Sequence, residues 1–90
     1  MRSTTWYTRH KDLIIEKYWG IEEKIDILEN AIQKQPNSSR VERVWRDFEL
    51  YRKITFPSAY DLFMNPIDKL TITYAIHKPT GLVILHDIFE

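Results

Sequence analysis

The chain lacks cysteine, has two glycines among its ninety residues and carries no net charge. Without cysteine, neither a disulfide frame nor a thiolate metal site is available, and the core must come from packing alone. So few glycines, together with 29% charged residues, argue against disorder or low complexity. No apolar run approaches the roughly 18 residues that a membrane span needs. The opening MRSTTWYTRH has no apolar segment of the signal-peptide kind, so the expected compartment is the cytoplasm, with no membrane partner. Thirteen basic and thirteen acidic side chains give a pI near 6.8, so a nucleic-acid partner would have to be met by a local patch.

What the chain does have is aromatic rings: three Trp, five Tyr and four Phe, which bury much area per residue. Ninety residues make one domain, 1–90, with a single modest core. The last third reads as a β-hairpin. KLTITYAIH and LVILHDIFE, rich in β-branched residues, flank the turn KPTG. A turn over Lys78–Gly81 sets His77 opposite Leu82, Tyr74 opposite Leu85 and Thr73 opposite His86. One face then carries Leu70, Ile72, Tyr74, Ile76, Val83, Leu85 and Phe89 as core, with Asp87 interrupting it. The other is mixed and carries Thr71, Thr73, Ala75, His77, Leu82, Ile84, His86 and Ile88.

Upstream, residues 3–8 are β-prone and predict a short strand. Leu13, Ile14 and Tyr18 mark a helical face, which Gly20 breaks. Ile21, Ile25, Leu28, Ala31 and Ile32 recur at helical spacing, and Pro36 ends that helix. Ser39 and Glu42 form a possible capping box, after which Val41, Val44, Trp45 and Phe48 predict a third helix to about Tyr51. RKITFP reads as a strand, and residues 58–68 as either one helical turn or a loop. The expected class is α+β: two to three N-terminal helices packed on one face of a small antiparallel sheet that ends in the C-terminal hairpin.

Chemistry has few candidates. Arg40, Arg43, Arg46, Arg52 and Lys53 fall within fourteen residues beside Trp45 and Tyr51, a composition suited to phosphates and stacked bases. Glu42, Asp47 and Glu49 reduce that window to +2, so a solvated helix face with neutralising side-chain pairs is the plainer explanation of it. Among the three histidines, His86 sits mid-strand and is the best acid–base candidate, while His77 stands at the hairpin mouth. Asp87, its chain neighbour, points away from His86 in a regular strand and cannot orient it. The histidines are scattered and no acids cluster with them, so no metal is expected. No glycine-rich phosphate loop is present, so no cofactor is expected.

The order of elements resembles the RelE/ParE toxin superfamily. The features that carry the likeness are two helices ending in QKQPN, a YRKI strand, and the closing TITYAI and LVIL strands. The resemblance implies a toxin of a toxin–antitoxin module, acting on messenger RNA at the ribosome as a metal-independent endoribonuclease, or on DNA gyrase. It also implies a cognate antitoxin-like protein partner. On this alignment Arg52 and Lys53 match the basic pair of the family's middle strand and, with His86, form the expected catalytic set. Arg40, Arg43, Arg46, Lys69 and His77 form the expected RNA- or partner-binding set. The arginine that usually opens the next strand falls near Thr71, and the terminal arginine and tyrosine fall around Ile88 and Phe89. Neutral side chains there cannot stabilise transition-state charge. The alternative reading is therefore a non-enzymatic interaction module, such as a phage or plasmid regulator, an immunity-type inhibitor or a small homodimer.

Overall fold

Thr4 decides where the first helix starts. Its side-chain oxygen accepts from the Tyr7 backbone N–H at 3.1 Å, satisfying a donor that the first turn leaves unpaired. The computed structural model describes all ninety residues and gives only Arg2–Ser3 to the first strand, β1. The strand expected over residues 3–8 is thus mostly helix, because a capping threonine ahead of Trp6 and Tyr7 outweighs their β propensity. Helix α1 runs Thr5–Lys17 and α2 runs Ile21–Lys34. Between them Gly20 takes φ 70°, a left-handed conformation that glycine adopts without steric cost. Acidic Glu22 and Glu23 open α2 and Lys34 closes it, each favourable to the helix dipole. No helix is long and apolar enough to cross a membrane.

After a single 3₁₀ turn at Pro36–Ser38 come strands β2 (Arg40–Trp45), β3 (Phe48–Thr55), β4 (Leu70–His77) and β5 (Leu82–Phe89). The sheet order is β1-β5-β4-β3-β2, antiparallel throughout except that β1 runs parallel to β5. The fold is α+β, with two helices on one face and a closing β4–β5 hairpin. The third helix expected over 39–51 is instead the β2–β3 hairpin. Its apolar residues sit at i, i+3, i+4 and i+7, which also fits two short strands meeting at a two-residue turn. Trp45 pairs with Phe48 across that turn, with Arg46 left-handed at φ 54°. The capping-box role of Ser39 and Glu42 falls with the helix. Glu42 is instead a bulge, since Val41 pairs with Tyr51 and Arg43 with Leu50.

The core lies between the helices and one sheet face. Tyr7, Ile14, Ile21, Ile25 and Ile32 meet Tyr51, Leu70, Ile72, Tyr74, Val83, Leu85 and Ile88. Tyr51 and Tyr74 stack with centroids 5.2 Å apart, and the Tyr74 hydroxyl donates to Pro36 O at 2.6 Å. Both phenols are pushed above their usual pKa, mainly by burial. The molecule measures 45 × 23 × 20 Å. Strand β2 is exposed along its whole length, so the far edge of the sheet projects past the helices.

The closing hairpin keeps the expected pairs His77–Leu82 and Tyr74–Leu85, but the register then shifts. Thr73 pairs with Asp87 rather than His86, because His86 is an extra residue, bulged out of the ladder. From that point every side chain changes face. Ile88 enters the core, fully buried, and Phe89 turns outward, 38% exposed, the reverse of the regular alternation.

Candidate functional site

The sheet face away from the helices is where the predicted residues can meet. The β3–β4–β5 register aligns Arg52 with Thr73 and Asp87, and Leu50 with Ala75 and Ile84. On β2, Arg43 pairs with Leu50. A groove of about 470 Å³ lies here, bounded by Arg43, Arg52, Thr73, His86 and Phe89 over a floor that includes Leu50.

Two bulges shape it. The bulge at His86 turns the imidazole outward, with Nδ1 3.3 Å from Thr73 Oγ1. It also frees the His86 carbonyl from the ladder, and the Thr4 hydroxyl donates to that oxygen at 2.5 Å. Thr4 N donates to Leu85 O at 2.9 Å, so one residue caps α1 and holds the bulge. The second bulge, at Glu42, leaves its carboxylate 3.3 Å from Arg52 Nε. Both side chains are well exposed, so this pair orients the guanidinium more than it stabilises the fold. Arg43 enters no ion pair and is the free cation of the groove.

Of the three residues expected to be catalytic, Arg52 and His86 share this groove. Lys53 does not. It pairs with Ile72, a core residue, so strand alternation turns it away from the groove, and it lines a second shallow cleft with Ser39 and Arg40 that shares Glu42 and Arg52 with the groove. Of the expected binding residues, Arg43 lines the groove and Arg40 pairs with Arg52 at its edge. Arg46 lies at the β2–β3 turn with its guanidinium 4.9 Å from the Trp45 ring centre. His77 stands at the far end of β4, bonded to Thr80 Oγ1 at 2.8 Å and 5.0 Å from the Phe48 ring. Lys69 precedes β4 and lines neither cleft. Thr71, on which the family alignment places an arginine, is buried.

One pairing has no signal in the sequence. Asp87 Oδ1 lies 2.6 Å from His10 Nδ1, seventy-seven residues away, and accepts from Ile88 N at 2.8 Å. Asp87 also lines the groove, so the middle of α1 is tied to its rim. The groove therefore suits an anionic, planar ligand: guanidinium groups for phosphate, Leu50 and Phe89 for a base or ring, and an exposed imidazole for proton transfer. Comparison with family models, with curated proteins and with solved structures found no match.

Proposed function

We propose that the protein is a toxin of the RelE/ParE type that engages single-stranded RNA through the outer groove of its sheet. The observation that carries this reading is the convergence on one face of Arg43 and Arg52, from the β2–β3 hairpin, with His86, from the last strand of the chain. Guanidinium groups bind phosphate bidentately, and the apolar floor accepts a splayed base. In this role Arg52, oriented by Glu42, and the free Arg43 hold the backbone. His86, held at its bulge, is the group placed to move a proton. The strand, helix, helix, strand order fits the same reading. The test is a titration of the purified protein with a labelled single-stranded RNA at several salt concentrations. Arg43→Ala with Arg52→Ala should weaken binding and flatten the salt dependence by roughly 1.4 in log–log slope, two phosphate contacts at about 0.7 each. An unchanged slope would remove the groove from the interface.

A second reading, the non-enzymatic interaction module, has its own observation: four of the five most exposed large apolar side chains, Phe56, Leu62, Phe63 and Met64, lie outside the groove, on the β3–β4 loop.

A further inference from the structure

We propose that the loop between β3 and β4, together with Trp19, docks a basic amphipathic helix of a partner protein. This proposal does not rest on the RNA reading, and the groove variants leave it untouched.

Leu62, Phe63 and Met64 are 72%, 84% and 72% exposed, and Trp19 beside them is 74% exposed. Isolated apolar residues on a surface need no explanation, but a contiguous group of large ones does. The loop that carries them is firmly built. Ala59 and Ile67 anchor its ends in the core, and Ile67 N donates to Ala59 O at 3.0 Å. Asp61 Oδ1 accepts from Phe63 N and Asn65 N, both at 2.9 Å, and these bonds hold its carboxyl below the usual range. Trp19 N donates to Tyr60 O at 3.1 Å, and Lys24 Nζ to Ser58 O at 2.7 Å, fastening the loop to the α1–α2 corner. Met64 sits at φ 63°, a conformation that an unbranched side chain adopts only where its surroundings impose it. Strong local bonding thus fixes the backbone that presents these apolar side chains to water, an arrangement that lowers the ordering cost of binding.

Charge selects the partner. A depression of about 400 Å³ lies between Trp19 and Met64. A neighbouring one shares Trp19 and Leu62 and is rimmed by Glu16, Glu22 and Glu23. None of these three acids enters an ion pair, whereas the nearby Lys17 is taken up by Glu90 at 3.2 Å. Apolar knobs beside free carboxylates repel nucleic acid and anionic lipid. They suit a helix that presents apolar side chains every third or fourth residue between lysines or arginines.

The probe is a labelled fourteen-residue leucine–lysine peptide with helical spacing, set against its leucine–glutamate counterpart, with binding read by fluorescence anisotropy. The leucine–lysine peptide should bind. Phe63→Ser and the pair Glu22→Lys with Glu23→Lys should each weaken it by about tenfold or more, because one removes a large apolar contact and the other reverses the field. The thermal melt of Phe63→Ser should be unchanged, since that side chain stands in solvent. The Glu22→Lys with Glu23→Lys pair should melt somewhat lower, because it reverses two charges that favour the start of α2. Arg43→Ala with Arg52→Ala should bind the peptide as the native protein does. Equal binding by Phe63→Ser, or equal binding of the leucine–glutamate peptide, overturns the proposal. So does a dimer in sedimentation that Phe63→Ser dissolves, which assigns the loop to a second copy. Adsorption to phosphatidylcholine–phosphatidylserine vesicles that depends on Phe63 also overturns it, in favour of a lipid surface.

Discussion

Replacing Ile88 by alanine should destabilise the protein far more than replacing Phe89, although phenylalanine is the larger residue. Ile88 is fully buried opposite Ile72, and Phe89 is 38% exposed opposite Thr71. Truncating Ile88 removes three carbons, worth about 0.8 kcal/mol each on transfer, hence about 2.4 kcal/mol. A residual cavity of about 40 Å³ at about 24 cal/mol per Å³ adds about 1 kcal/mol, giving about 3.5 kcal/mol, inside the usual range for such changes. A domain of this size has a total stability of roughly 4.5–13.5 kcal/mol, so the loss is a large fraction of it. The melting temperature should fall by roughly 14–28 °C. For Phe89→Ala the partly hydrated ring should yield less than about 1.5 kcal/mol. Urea unfolding of both variants at constant m-value measures the difference. A Phe89→Ala loss equal to or larger than that of Ile88→Ala would refute the bulge at His86, because unbroken alternation from Leu85 puts residue 89 in the core and residue 88 outside.

Two further predictions concern groups that hold the start of α1. Thr4→Ala should cost about 1–2 kcal/mol and Thr4→Ser much less, because the hydroxyl both caps the helix and satisfies the bulge carbonyl. The chemical shifts of His86 should move in the alanine variant and return in the serine one, and a His86 spectrum unmoved by alanine contradicts the link. The Tyr7 phenol is pushed far above its ordinary value near 10, first by burial and then by its hydrogen bond of 2.6 Å to Glu29, which Lys11 also holds at 3.0 Å. A raised folded-state pKa gives stability that is fully present below about pH 10 and is lost as pH rises above it. Urea midpoints measured at pH 9 and pH 11 should therefore drop less in Tyr7→Phe than in the native protein; equal drops would show that Tyr7 carries none of the alkaline sensitivity.

The parts of the fold that could be read in the sequence are those set by local chemistry. The β4–β5 hairpin was legible because Pro79 and Gly81 punctuate two β-branched runs, and α2 because Ile21, Ile25, Leu28 and Ile32 keep helical spacing to Pro36. The β2–β3 hairpin was not. Its turn, Arg46–Asp47, has no glycine or asparagine, and Val41, Val44, Trp45 and Phe48 satisfy a helical period equally well. The His86 bulge depends on Thr4, eighty-two residues away, and a contact of that span leaves no periodic mark. The site divides the same way. Arg52 and His86 stood out as residue types, but their meeting with Arg43 follows from pairing across four strands. Lys53, adjacent to Arg52 in the chain, is kept out of the groove by strand alternation, and the His10–Asp87 pair joins chain positions that nothing local connects.

We propose the outer groove as the working surface of a toxin, and bacterial growth reports on it. Induced expression in bacteria, with growth followed for the native chain and for Arg43→Ala with Arg52→Ala at matched protein levels, tests it most directly. The native chain should arrest growth and the double variant should relieve the arrest, because both substituted side chains are exposed and their loss leaves the fold intact. Normal growth with the native chain, or equal arrest by both, would contradict it.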